Sequence, residues 1–369
     1  MGRNTFMSIL FYSGFAFLAV VALTLPVRKV ARLSGIVDVP EGRKQHAKEI
    51  PPVGGLVLFT VFMLVGVWSG ITDLSDYSAL YVGLIMLLVS GAIDDQSHIR
   101  ASLKFIIHIF VACFVVFLGG VQATYLGDLF GFGAVALGGF APLFSIAAVV
   151  LLVNAMNFVD GMDGLAAGMS SVMFIWFAIG AVAAGLAGHV QFLMLLLACI
   201  SGFLVFNMRN PWRRKASLFL GDAGSLSLGL VIAWFAVHLA GTPAAPFEPI
   251  TVAWIIGFPI FDICAQFYRR VSEGKHPFTP DRGHFHHCFI DAGVSVRYAT
   301  PIIMGIVAVM GAIGYGGVLL GLSTVVLTVT WVGLLFGHMT LARNPRNYVR
   351  FIKASMGFMS RFHSGVHAE

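Results

Sequence analysis

Five aspartates sit at the ends of apolar stretches. Asp94 and Asp95 are adjacent, Asp160 and Asp163 belong to the run Asn154-Ala-Met-Asn157-Phe-Val-Asp160-Gly-Met-Asp163-Gly164, and Asp222 stands in Phe219-Leu-Gly221-Asp222-Ala-Gly-Ser225. A charge beside hydrocarbon is costly and marks function by default. Adjacent carboxylates repel unless a cation compensates, and Lys104 lies nine residues beyond Asp95. The polar residues of the 154–163 run recur at every third position, and each step drifts about 60° around an α-helix. Asp160 and Asp163 can therefore share a face, but all four cannot. The glycines of that run predict a tightened or broken helix end whose backbone approaches a ligand. Acids beside amides suit recognition of sugar and base hydroxyls, or contact with a metal. Asp222 opens an apolar run between glycines, where a helix N-terminus offers N–H groups and a positive dipole to phosphate. Its carboxylate suits Mg2+, which takes one or two carboxylates and completes its shell with phosphate oxygens and water. The plainer role for Asp222, an N-cap, uses the same position.

Two basic, histidine-bearing segments complement these acids. Asp38-Val-Pro-Glu-Gly-Arg43-Lys44-Gln-His46 suits an anionic ligand at a surface, although basic loops also simply anchor topology. Asp281-Arg282-Gly-His284-Phe-His286-His287 carries three histidines and an arginine that suit a diphosphate. The histidines could also bind zinc, but no carboxylate or thiolate lies at typical ligand spacing apart from Cys288, and phosphate is the preferred reading.

The elements that must position these groups are membrane helices. The 369 residues are 58% apolar and 11% charged, against about 25% charged for a soluble domain, and mean hydropathy is +0.89. A bilayer core needs about 20 apolar residues per helix. The chain offers candidate spans at 5–26, 53–71, 77–93, 103–119, 140–154, 165–185, 189–206, 223–240, 249–268, 299–319 and 322–340. The expected fold is all-α: a polytopic integral membrane bundle of eleven helices over 1–340, with a polar, basic cytoplasmic tail, 341–369, in which no domain is evident. The apolar stretch near the N-terminus reads as an uncleaved first helix, and Gly127–Gly139 as a re-entrant or interfacial segment. Inside the spans the one clear acid is Asp262, about two turns from Arg269.

Every Lys and Arg except Arg3 falls in alternate loops or the tail, with Lys104 just inside the span that follows its loop, and the opposite loops, 72–76, 120–139, 186–188 and 241–248, have none. The positive-inside rule then predicts an outside N-terminus and a cytoplasmic C-terminus. All five aspartates and both histidine-bearing loops fall on the cytoplasmic side. The formal charge of +6 belongs to topology and anionic headgroups, with no basic stripe on a soluble module to bind nucleic acid. Cys113, Cys199, Cys264 and Cys288 form no C-x-x-C pair and read as free thiols.

These motifs resemble those of the polyprenyl-phosphate N-acetylhexosamine-1-phosphate transferases, above all the bacterial undecaprenyl-phosphate GlcNAc-1-phosphate transferases. The matching stretches are Asp38–Gly55, Asp94-Asp95 with Lys104, Asn154–Ala166, Asn207 with Phe219–Ser225, and Arg269–His287. The related peptidoglycan enzymes carry a His-His-His run where this chain reads His284-Phe-His286-His287, which favours the GlcNAc-type branch. The resemblance implies transfer of a HexNAc-1-phosphate from a UDP-N-acetylhexosamine to undecaprenyl phosphate at the inner-membrane surface, with release of UMP. It implies Mg2+, with Mn2+ as a substitute, and a homodimer. Asp222 would be the metal ligand with Asn157 as helper. Asp94 would assist the lipid phosphate, which Asp95 and Lys104 position. Asn157, Asp160 and Asp163 would bind the nucleotide sugar, with Phe219 stacking on uracil and Lys44 and His46 near the same end. Arg282, His284, His286 and His287 would hold the diphosphate or sugar. The competing class is a transporter, whose polar site would be expected near the bilayer midplane on broken helices.

Overall fold

The computed structural model describes residues 3–38, 50–97, 99–277, 279 and 283–365, with side chains described between 7 and 355. Lys44, His46 and Arg282 lie outside these. The described chain is all-helical: α1 (Arg3–Leu33), α2 (Gly54–Ser69), α3 (Leu74–Ser97), α4 (Ala101–Phe117), α5 (Ala141–Val159), α6 (Leu165–Ala183), α7 (Ala187–Asn207), α8 (Gly221–Ala240), α9 (Pro249–Ile255), α10 (Gly257–Ser272), α11 (Phe285–Asp291), α12 (Val296–Leu319), α13 (Thr324–Ala342) and α14 (Pro345–Gly365). No strand forms among the described residues; isolated bridges such as Tyr125 with Ala136 tie loops.

Among the described residues, eight helices are long and apolar enough to cross a membrane: α1, α3, α5, α6, α7, α8, α12 and α13. The α9–α10 pair passes the same test as a broken span, and α2 and α4 are shorter apolar helices. These three coincide with the remaining expected segments. The expected single span 249–268 is, however, two helices bent by 71°. Pro259 has no N–H, and in a continuous helix its ring would clash with the carbonyl of Ile255, the residue at which α9 ends. The stretch before α5 is an irregular loop closed by a short 3-10 turn, Gly138–Phe140. Within the basic tail, Pro345–Gly365 form α14.

At the centre stands α8, mostly apolar and without a polar face beyond its first turn, where Ser225, Ser227 and His238 are the polar residues, and buried along most of its length, as such a helix must be. It packs on α2, α3, α5 and α6. The contact with α3 is backbone-close: a Cβ on Gly91 would fall on the main chain of Asp222 and Ala223. That approach carries the end of α3, with Asp94 and Asp95, to the N-terminus of α8. By contrast, α13 is at the periphery.

Candidate active site

The N-terminus of α8 opens into a cavity of about 980 Å3, built from the ends of α1, α3, α4, α5, α7 and α8 and from α11. Asp222 is its hub. Gly221 holds φ at +75°, which turns the chain into the helix and leaves no room for a side chain between Pro52 O and Asp95 Oδ2. The Asp222 N–H then donates to Asp95 Oδ1 at 3.0 Å, so a residue of α3 caps α8. The Asp222 carboxylate accepts from Lys104 Nζ at 3.0 Å and from Asn157 Nδ2 at 2.9 Å. Lys104 also pairs with Asp94, and thus bridges the two carboxylates. Asp94 is mostly buried, and its Oδ1 accepts the Ile99 N–H at 2.7 Å, fixing the α3–α4 turn.

The polar residues of the 154–163 run divide among four directions: α5 ends at Val159, so Asn154 and Asn157 stand on the helix while Asp160 and Asp163 lie in the turn beyond it and do not share a helical face. Asn154 is buried and meets His108 Nδ1 at 3.2 Å, clamping α5 to α4 one turn below Lys104. Asn157 turns to Asp222 and to Ser225 Oγ at 3.0 Å. Asp160 follows the end of α5 and lines the cavity. Burial, and then the Asp222, Asp95 and Asp163 carboxylates, push its pKa well above the ordinary carboxylate range. Asp163 accepts from Arg209 Nε at 2.6 Å and from the Ala216 N–H at 3.1 Å, which joins this turn to the α7–α8 connection. The buried Asn207 makes a second join, accepting from Gly164 N at 2.7 Å and donating to Leu218 O at 2.8 Å. Phe219 lies on the cavity wall.

The three histidines form a row of rings. His284 stacks on His286 with centroids 5.6 Å apart, and His286 lies 4.2 Å from His287. Of the three, His287 lines the cavity. His286 is buried against Gly161, where a Cβ would fall on its Nε2, and burial lowers its pKa to about 3. His284 is buried beside Asp262, 2.7 Å from Nδ1 to Oδ2. Arg270, which can only donate, approaches its Nε2 at 3.3 Å, so Nδ1 is the donor to Asp262. The other Asp262 oxygen accepts the Phe285 N–H at 2.9 Å and caps α11 from α10. One turn on, Gln266 Nε2 donates to Gly283 O at 2.9 Å.

The structure therefore gathers Asp94, Asp95, Lys104, Asn157, Asp160, Asp163, Phe219, Asp222 and His287 around one cavity, and places His284 and His286 behind its wall. Asp262, Gln266 and Arg209 are supports to which the sequence reading assigns no role, and Asn207, which belongs to the matching motifs, is a support as well. The signal for Asp262 is its isolation within an apolar span; Arg209 is indistinguishable from other basic loop residues.

The donor set fits a hard cation. Asp94, Asp95, Asp160 and Asp222 border the cavity with Lys104 as the basic side chain paired among them, and Asp95 Oδ2 is buried without a partner among the described residues. No cluster of three or more His, Cys, Asp or Glu is arranged as a metal cage among the described residues. Mg2+ needs none, because it keeps waters and takes phosphate oxygens.

Comparison with known proteins agrees with the motifs. The family described as glycosyl transferase family 4 matches residues 77–240. Undecaprenyl-phosphate alpha-N-acetylglucosaminyl 1-phosphate transferase of Escherichia coli K12 is 35% identical over 291 residues, 78% of each chain. The proteins of the same name from Yersinia pestis and Haemophilus influenzae are 33% identical over 304 residues and 32% identical over 301, each covering 82% of this chain and, respectively, 82% and 84% of the relative. With the acid-lined cavity at the head of α8 and likeness of this extent, the chain belongs to glycosyl transferase family 4.

Proposed function

We propose that the protein transfers a HexNAc-1-phosphate, in the first instance GlcNAc-1-phosphate, from a UDP-sugar to undecaprenyl phosphate at the cytoplasmic face of a bacterial inner membrane, and so starts a lipid-linked cell-envelope glycan. The observation that carries this reading is the Asp222 hub, with Lys104 and Asn157 on its carboxylate and Asp95 on its N–H, at the mouth of a cavity inside a bundle of membrane helices. The relatives' name supplies the acceptor and the sugar phosphate.

A phosphate attacking a diphosphate meets charge repulsion, and catalysis consists chiefly of positioning and electrostatic stabilisation. Asp222, with the Asn157 amide beside it, would hold Mg2+ or Mn2+, which neutralises the diphosphate and the departing UMP. Asp94 receives the lipid phosphate and takes its remaining proton, whose pKa is about 6. Lys104 then has one carboxylate fewer to neutralise and turns to the incoming anion. The lipid oxygen bonds to the β-phosphorus while the α–β bridge breaks and UMP leaves with the bridging oxygen. Asp160 and Asp163 border the nucleotide-sugar side, Phe219 offers a ring to uracil, and His287 donates to the diphosphate. Asp262, His284 and His286 act as positioning residues for His287. The apolar helices let the lipid tail remain in the bilayer while its phosphate reaches the cavity.

Purified protein given magnesium, undecaprenyl phosphate and UDP-GlcNAc should release UMP. The bonds broken and formed are both phosphoanhydrides, so labelled UMP should exchange back into UDP-GlcNAc when lipid product is present. EDTA should stop both. Release of UDP would mean cleavage at the sugar carbon and would sink the proposal.

A further inference from the structure

We infer that α14 is a binding face for anionic phospholipid headgroups, and that it couples their presence to α11, the element that carries His287. Four observations carry this. First, only two residues separate the end of α13 from the start of α14, so its first turns cannot leave the membrane surface. Tyr348 confirms that level, for its hydroxyl lies 2.6 Å from Nδ1 of His338, one turn inside the end of α13. Second, α14 is two-faced. Tyr348 and Ile352, four residues apart, are buried on the protein, whereas Arg346, Arg350 and Lys353, at spacings of four and three, share the exposed face. Third, this face has one sign: from 341 to 365 there is no Asp or Glu. Phe351, 65% exposed, flanks it as an apolar group able to enter the interface. Fourth, the buried face is seated on the histidine segment. The Tyr348 ring meets Phe285 at 4.9 Å, edge to face, and Cys288 Sγ approaches Pro345 O. Phe285 is the residue whose N–H Asp262 holds from the other side. So α11 lies between α10 and α14, and whatever seats α14 on the surface also seats His287 at the cavity.

Headgroups fit this face better than an acidic protein does, because they are the anions within reach of a helix held at that depth. Juxtamembrane Lys and Arg are drawn to an anionic surface over about one Debye length, roughly 8 Å at physiological salt. Binding to the lipid is independent of the reaction proposed above; an effect on turnover rests on it.

The full chain, reconstituted in nanodiscs of phosphatidylcholine alone or mixed equally with phosphatidylglycerol, tests the inference by amide hydrogen exchange. Exchange in 285–291 and 345–355 should slow about ten-fold in the anionic discs, and added salt should erode the difference. The triple variant R346Q/R350Q/K353Q should abolish it in both segments, and R346K/R350K should retain it. Equal exchange in the two lipids overturns the inference and leaves the basic face to an acidic protein. A difference that survives in the triple variant overturns it too, as does slowing of α14 without α11. UMP release in the same discs is read separately: none in either lipid rejects the transferase reading, while the exchange data still decide the lipid question.

Discussion

At the scale of single residues, Asp222 and Asp94 share Lys104 but hold different places. Asp222 stands in the first turn of α8 and has two further ties, to Asn157 and to Asp95 through its own N–H. Asp94 has a salt bridge and one turn contact. Asp222→Asn should remove UMP release altogether with an unchanged melting profile, and raised magnesium should not rescue it. Asp94→Asn should lower kcat roughly 10²-fold or more and leave UDP-sugar binding intact, as measured by calorimetry. Loss of sugar binding in the Asp94 variant would reverse the assigned roles. Asp160 gives a pH signature. Its folded pKa is raised by burial and by three neighbouring carboxylates, so the folded state binds its proton more tightly than the unfolded chain does. Its charge costs nothing below the unfolded value of about 4, and the cost grows as pH rises toward the raised folded value. Asp160→Asn should therefore raise Tm of the metal-free protein at pH 7, with a gain that vanishes in acid. A gain equal at all pH values would refute the electrostatic cause.

At the scale of elements, α10 is a bracket. Asp262, Gln266 and Arg270 recur along one face of it and hold, in turn, the start of α11, Gly283 and His284. Asp262→Ala would leave a buried imidazole and the partly buried Phe285 N–H without their acceptor. Breaking a buried, hydrogen-bonded pair in this way costs roughly 3–5 kcal/mol. The loss should be local: faster hydrogen exchange in 285–291 and a raised KM for the UDP-sugar, with exchange in α8 unchanged. Uniform loss of protection would show that Asp262 supports the whole bundle instead. The break between α9 and α10 belongs to the same device, because a straight span would point Asp262 along a different direction.

At the scale of the molecule, Asp94, Asp95, Asp160, Asp163, Asp222 and His287 meet at one end of the bundle, and the loops 72–76 and 120–139 lie at the other. The orientation predicted from basic loops puts the cavity in the cytoplasm. Cys288 is a poor reporter of this, since it is buried. Exposed positions serve better: in intact cells an impermeant thiol reagent should label Asp73→Cys and spare Arg214→Cys, and both should react after lysis. Labelling of Arg214→Cys from outside would invert the topology and with it the proposed access to a cytoplasmic nucleotide sugar.

Much of this protein is legible along the chain because lipid is a simple solvent. Apolar length reports a span, and alternation of Lys and Arg reports a side, so both the helical class and the gathering of Asp94, Asp95, Asp160, Asp163 and Asp222 at one face follow without coordinates. What the chain alone cannot express is rotation. Which way a helix turns about its axis is set by packing with neighbours far away in sequence, and that decides each polar partner. Lys104 reaches Asp222 across 118 residues, and Arg209 neutralises Asp163, an acid with no basic neighbour in its own loop. The same rotation separates His287, on the cavity, from His284 and His286, in the wall, although the three lie within four consecutive residues. The tail shows the limit most plainly. Arg346, Tyr348, Arg350 and Ile352 read as an undifferentiated basic end, and become two faces of a helix only because α11 provides a surface for one of them to cover.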